Sequence, residues 1–220
     1  MLIGIFDSGR GGYFIAERLQ EILPEHDFIV ADDSANVPYG TRTREEILQL
    51  TDRAIQPLLA QCPIIVIACN TITTAIIHIL RERYPNVVFV GLEPMIKPAS
   101  LLTQSGHIAV LATPSTLNSA RYQELKQTHA AHLIVDEPVT AHWPRTIEND
   151  EMESLDLRDV ISSRDDGADV IVLGCTHYLA LIPRLKTILN DVTILEPSEA
   201  IARRVRQVLA QPDSSSDQYD

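Results

Sequence analysis

Short runs of Val, Ile and Leu alternate with helix-patterned stretches along nearly the whole chain. That alternation constrains the fold more than any other feature. The runs are Leu2–Phe6, Phe28–Ala31, Ile64–Ala68, Val87–Gly91, Ile108–Leu111, Leu133–Val135, Val170–Leu173 and Val192–Leu195. Each is continuous rather than alternating in polarity, as expected of parallel strands covered on both faces. Between them, Ile15, Leu19, Ile22 and Leu23 share one helical face, and Thr43-Arg-Glu-Glu46 reads as a capping box opening another helix. Pro57 is expected to kink or end that second helix. Strand and helix in turn predict an α/β architecture with mainly parallel sheets.

The chain also repeats itself. Ile64-Ile-Val-Ile-Ala-Cys-Asn-Thr71 resembles Val170-Ile-Val-Leu-Gly-Cys-Thr-His177, and Ile5-Phe-Asp-Ser8 pairs more weakly with Val110-Leu-Ala-Thr113. Two similar α/β domains are therefore predicted, 1–96 and 97–196, meeting near Met95–Pro98 with a cleft between them. The last helix-like stretch, Glu199–Leu209 within 197–210, is expected to pack back on the first domain. The polar segment 211–220 is expected to be a disordered tail.

With 18 Lys and Arg against 30 Asp and Glu in 220 residues, the net charge is −12, which argues against a nucleic-acid partner. There is no apolar run of about eighteen residues, so no membrane span is expected. Met1–Phe6 is too short for a signal-peptide core and is followed at once by Asp7, so a cytoplasmic location is expected. The three cysteines, Cys62, Cys69 and Cys175, should then be reduced thiols.

Cys69 and Cys175 fall at the carboxyl ends of matching strands, where open α/β sheets bind ligands, and each precedes a predicted helix. Unpaired N–H groups and the positive dipole end there favour a thiolate. Two such thiols in matching halves suggest two acid/base groups facing each other across a cleft. Inverting a carbon centre by proton transfer needs just that: a base on one face and an acid on the other. Buried structural cysteines are the plain alternative, and Cys62, off the repeated pattern, is read as structural.

Asp7-Ser-Gly-Arg-Gly-Gly12 lacks the spacing and the Lys of a phosphate loop. Its backbone N–H groups could hold a carboxylate, but an ordinary strand-to-helix turn is the favoured reading of the glycines alone. Asp7 is the stronger candidate, a carboxylate that could accept or relay the proton of Cys69. Pro38-Tyr-Gly40 reads as a turn presenting a tyrosine. Asn70, Thr71, Thr176 and His177 could be helix caps or ligand donors, and His177 could orient or ionise Cys175. His129, His132 and His142 lack a second ligand pair, so no metal site is expected. None of the three lysines, Lys97, Lys126 and Lys186, stands in a phosphate-binding context, so cofactor-free chemistry is the simpler account.

Six ordered segments resemble those of glutamate racemases, in the aspartate/glutamate racemase superfamily. They are Gly4-Ile-Phe-Asp-Ser-Gly-Arg-Gly-Gly12, Val37-Pro-Tyr-Gly40, Ile67-Ala-Cys-Asn-Thr71, Val90-Gly-Leu-Glu-Pro94, Val110-Leu-Ala-Thr113 and Leu173-Gly-Cys-Thr-His-Tyr178. The resemblance implies two pseudo-twofold-related domains with the active site between them. It implies cofactor-independent interconversion of L- and D-glutamate for peptidoglycan, with Cys69 and Cys175 as the two bases. Asp7 would assist the first, and His177 with Glu148 the second; Asp7, Ser8, Tyr39, Gly40, Asn70, Thr71, Thr176 and His177 would hold the amino acid. The region between Thr116 and Asp169 is compressed, and Ala141-His-Trp-Pro-Arg-Thr-Ile-Glu148 stands where the family carries a Cys-Pro stretch before its assisting glutamate. Racemisation of aspartate or another small acid, and a catalytically silent small-acid-binding relative, are the alternatives. A small amino acid is the implied partner, and a homodimer the assembly considered.

Overall fold

A computed structural model describes residues 1–210, and the tail segment 211–220 lies outside the described residues. In the first half, β1 (Leu2–Asp7), α1 (Gly11–Ile22), β2 (Asp27–Asp32), α2 (Arg44–Ala54), α3 (Gln56–Leu59), β3 (Ile64–Ile67), α4 (Asn70–Arg83) and β4 (Val88–Gly91) follow in order. The second half begins with α5 (Ile96–Leu102), β5 (His107–Leu111), α6 (Pro114–Leu117), α7 (Ala120–His129) and β6 (Ile134–Asp136). It continues through α8 (Trp143–Glu148), α9 (Arg158–Asp165), β7 (Val170–Leu173), α10 (Ile182–Ile188) and β8 (Thr193–Leu195), and the described chain closes with α11 (Ser198–Ala210).

The strands form two four-stranded sheets, ordered β2-β1-β3-β4 and β6-β5-β7-β8, parallel throughout. The two orders are the same, so β1 corresponds to β5 and β3 to β7. The order reverses between those central strands, and there the carboxyl ends of an α/β sheet open a crevice. Phe6 is in register with Ile67, and Leu111 with Leu173. The residues just beyond them, Asp7, Cys69 and Cys175, therefore reach that crevice.

All four residues of β3 and of β7 are buried, as expected of Val/Ile runs. The edge strands β2, β6 and β8 have no buried residue. The fourth edge strand, β4, differs: its Phe89 and Val90 are buried in the cores on opposite faces of the first sheet.

Ile3 and Ile5 of β1 pack with Ile15 and Leu19 of α1 and with Ile201, Ala202 and Val205 of α11. On the opposite face, Phe6, Ile65 and Ile67 meet Ile72 and Ile76 of α4 and Ile47 of α2. Cys62 is buried in that same core. In the second half, Leu111 and Leu173 pack on Trp143, Ile147 and Tyr178. Trp143 and Tyr178 meet edge-on with ring centroids 5.4 Å apart, an arrangement that adds about 1 kcal/mol beyond area burial.

Local signals are realised as read. Thr43 Oγ1 accepts from Glu46 N–H at 3.2 Å, and Glu46 Oε2 accepts from Thr43 N–H at 2.8 Å, completing the capping box of α2. That helix ends at Ala54, and Pro57 lies in the first turn of α3, where its missing N–H costs no hydrogen bond. Among the described residues no helix is long and apolar enough to cross a membrane.

Candidate active site

One small pocket, about 100 Å³, takes its wall from both halves of the chain. Ser8, Tyr39, Gly40, Cys69, Asn70 and Thr71 line it from the first half; Thr113, Cys175, Thr176 and His177 line it from the second. Both predicted thiols are thus in one cavity. Each is 8% exposed, so the sulfurs are largely shielded from bulk water while facing the same space. A larger cavity, about 400 Å³, lies behind the linker Leu92–Met95 against α11 and contains neither cysteine. The smaller one holds the reactive groups.

Cys69 is the extended N-cap residue of α4. Its Sγ lies 3.4 Å from Ser8 Oγ and receives the N–H of Ile72 from the first turn of the helix. The helix start was expected to favour a thiolate. Burial overrides it: desolvation first, then the negative charge of Asp7, push the Cys69 thiol up to about 12 despite the bonds from Ser8 and Ile72. These influences favour the protonated, neutral thiol at Cys69.

Cys175 precedes a different local structure. Thr176–Leu181 is a 3-10 helix, and α10 begins only at Ile182, so the symmetry with α4 stops one residue after the cysteine. The predicted helix dipole is replaced by a side-chain relay. His177 Nδ1 lies 3.7 Å from Cys175 Sγ, and His177 Nε2 lies 2.6 Å from Glu148 Oε1. Burial opposes charge on this imidazole, but its bonds with Cys175 and Glu148, together with the charge of Asp7, push it up to about 10. Burial also works against the Glu148 carboxylate. The bonds from His177 and from the Arg10 N–H outweigh it and hold Glu148 below its ordinary range.

Asp7 and Glu148 do not line the pocket; each stands one hydrogen bond behind a residue that does. Asp7 Oδ1 accepts from Gly9 N–H at 2.8 Å, and its Oδ2 accepts from Thr176 Oγ1 at 2.8 Å. Expected beside Cys69, Asp7 is bonded across the cleft to the residue after Cys175, and the hydroxyl against Cys69 is that of Ser8. Complete burial raises Asp7 to about 6, against the pull of His177 and the bonds from Gly9 and Thr176.

Tyr39 follows a cis Val37–Pro38 peptide and donates its hydroxyl to Asp33 Oδ2 at 2.6 Å. Burial and that carboxylate hold its phenol well above the ordinary value. Asn70 Oδ1 is buried without a hydrogen-bond partner among the described residues, in a pocket wall. An orphaned acceptor there calls for a ligand donor.

The glycine-rich turn does more than turn the chain. A Cβ at Gly9 would meet Glu148 Oε1 at 2.2 Å, and one at Gly11 would meet Thr176 Oγ1 at 2.2 Å. These positions are bare because the second half docks on them. The turn's N–H groups hold two carboxylates of the protein itself, Asp7 from Gly9 N–H at 2.8 Å and Glu148 from Arg10 N–H at 2.6 Å. Sequence reasoning gave Arg10 no role. It also left out Thr113, whose Oγ1 lies 3.3 Å from Thr71 Oγ1 across the cleft. The repeat contained that signal, since Thr113 occupies the place after β5 that Ser8 holds after β1.

Two thiols are thus raised on equivalent strands of two similar parallel α/β halves and turned into one pocket. The chain belongs to the Asp/Glu/Hydantoin racemase family, which its residues 14–205 match. It is 38% identical over 222 residues to the glutamate racemase of Herpetosiphon aurantiacus, spanning 96% of this chain and 85% of that one. It is 36% identical over 218 residues to the glutamate racemase of Stutzerimonas stutzeri, spanning 95% and 82%. The crystal structure of Escherichia coli glutamate racemase, in complex with L-glutamate and the activator UDP-MurNAc-Ala, is similar with a TM-score of 0.81 at 28% identity, covering 100% of this chain and 86% of that one. The Francisella tularensis glutamate racemase in complex with D-glutamate gives 0.74 at 26% identity, covering 99% and 84%.

Proposed function

We propose that this protein interconverts L- and D-glutamate by proton transfer at the α-carbon, with Cys69 and Cys175 as the two bases. The observation that carries the reading is the shared pocket of these two thiols. In one direction the Cys175 thiolate, its proton held by His177, takes the α-proton from one face. The neutral Cys69 thiol then gives its own proton to the opposite face. Cys69 is left as the thiolate and Cys175 as the thiol, which is the state required for the reverse direction. Proton count and charge balance over the step, and no electrons change hands.

An α-proton is far less acidic than a thiol, so the pocket must stabilise the carbanion as it forms. No Lys or Arg lines the pocket among the described residues; hydroxyls of Ser8, Thr71, Thr113 and Thr176 and the amide of Asn70 do. Fixed neutral donors in a shielded site stabilise developing carboxylate charge without reorganising. The orphan Oδ1 of Asn70 suits the substrate ammonium. Holding both sulfurs ready supplies a further several kcal/mol through proximity. We read the reaction as cytoplasmic and its D-glutamate as a peptidoglycan precursor, as the family resemblance implies.

The test is incubation of the purified protein with L- or D-glutamate in D₂O, followed by circular dichroism and α-carbon NMR. Decay of optical activity from both enantiomers with deuterium at the α-carbon is expected. Exchange into aspartate but not glutamate would reassign the substrate, and binding without exchange would identify a silent relative.

A further inference from the structure

Glu148, only 14% exposed, stands on a short element for a residue that must hold a buried imidazole. It ends α8, a helix of only six residues. The chain then turns through Asp150, whose φ of 59° is left-handed, a conformation Asp tolerates better than most residues. The grip on this segment comes from the opposite half. Arg10 N–H donates to Glu148 Oε1 at 2.6 Å, the same oxygen that meets His177 Nε2. Arg10 Nη1 donates to Asp150 Oδ1 at 2.6 Å and reaches the Glu148 carbonyl at 3.5 Å. One residue of the glycine-rich turn thus holds Glu148 by its carboxylate and its carbonyl, and holds the turn beyond it by Asp150.

The side chains of Arg10 and Asp150 are 42% and 72% exposed, and a pair so placed adds little to folding stability. What it can do is fix position. We propose that Arg10 and Asp150 form a clasp between the two halves that registers Glu148 on His177, and thereby sets how readily Cys175 exchanges a proton with the substrate. Arg10 is then a positioning residue, touching neither sulfur nor substrate. The proposal rests on the two-base reading above and deepens it.

The experiment uses Arg10→Ala, Arg10→Lys, Asp150→Ala and the Arg10→Ala/Asp150→Ala double variant, with Glu148→Gln as reference. The substrates and products are mirror images, so kcat/KM is equal in the two directions. The primary isotope effects from α-deuterated L- and D-glutamate need not be equal. Slowing proton transfer at Cys175 raises the effect for the enantiomer that Cys175 deprotonates and lowers it for the other. We expect Arg10→Ala and Asp150→Ala each to lower kcat/KM about tenfold through a small misplacement of Glu148. Both should skew the two isotope effects in the same sense as Glu148→Gln, and the double variant should lose no more than either single. Arg10→Lys should recover part of the rate, and Tm should stay within about 2 °C of the parent.

Isotope effects that keep their parental ratio, or losses that multiply in the double variant, would overturn the clasp. A Glu148→Gln variant with parental rate and isotope effects would overturn the role given to Glu148 itself, and the clasp with it.

Discussion

Asp7 Oδ2 accepts the hydroxyl of Thr176 at 2.8 Å, tying the end of β1 in one half to the residue beside Cys175 in the other. Thr71 and Thr113 make a second bridge 3.3 Å long on the Cys69 side. Within two residues of each cysteine stands a threonine whose side chain is held from the opposite half, so the two halves together complete the pocket wall.

Asp7 leaves a pH signature. Its carboxyl is raised from 3.8 to about 6, mainly by burial, so the folded state favours the protonated form. The associated stability is fully present below about pH 3.8 and is lost as pH rises through about 6. Asp7→Asn mimics the protonated form. Its Tm relative to the parent should therefore increase from pH 4 to pH 7 and level off above. Differential scanning calorimetry across that range checks this, and a flat difference would contradict it.

Replacing Cys69 or Cys175 singly by Ser should cost about 10³-fold in racemisation, within the usual range for losing a positioned acid or base. The effect should be similar at both sites, because in the proposed two-base reaction one turnover uses both sulfurs. Near-UV circular dichroism should remain parental. A Cys69→Ser enzyme with near-normal turnover would show that one thiol suffices.

His177 should carry its proton to about pH 10 in the parent, since its bonds to Cys175 and Glu148 outweigh burial. That stability is full below the unfolded value of 6.5 and is lost as pH rises through about 10. Glu148→Gln removes the carboxylate but leaves the burial. The imidazole should then titrate lower, readable by ¹³C or ¹⁵N NMR of labelled histidine.

Gly11→Ala separates docking from local folding. An alanine suits the start of α1, but its Cβ would lie 2.2 Å from Thr176 Oγ1 and 2.7 Å from Thr176 Cβ. The two halves must draw apart to relieve the contact. We expect kcat/KM to fall at least tenfold and stability by about 1–3 kcal/mol, the usual cost of overpacking. Chemical denaturation and steady-state kinetics on the same preparation measure both.

Asn70→Ala should move stability and activity in opposite directions. A buried acceptor without a protein partner costs roughly 1–3 kcal/mol, so removing it should leave Tm unchanged or raised. Losing the acceptor for the substrate ammonium should cut kcat/KM by about 10- to 100-fold. A parallel fall in both would mean that Asn70 serves the scaffold.

The fold was legible because its central strands are short, unbroken Val/Ile runs and its halves repeat. Residues 64–71 and 170–177 announced both cysteines and their equivalence. The symmetry misled after Cys175, where a 3-10 turn through His177 stands in for a helix start, since similar sequence was taken to mean similar local structure. Long-range contacts were the least readable. Arg10 and Glu148 are 138 residues apart, and no pattern near either one points to the other. The glycine-rich turn looked ordinary for the same reason: what its missing side chains make room for arrives from the other end of the chain.

The placement of α11 bears on how the protein is made. Ile3, Ile5, Ile15 and Leu19 share their core with Ile201, Ala202 and Val205. While the chain is being made, this face of the β1–β4 sheet is covered by α1 but not by α11 until Ser198–Ala210 follows. The later-made β5–β8 unit is complete in sequence first. A chain shortened before Ser198 would leave Ile3, Ile5, Ile15 and Leu19 without their α11 partners, the kind of apolar surface that invites aggregation or chaperones.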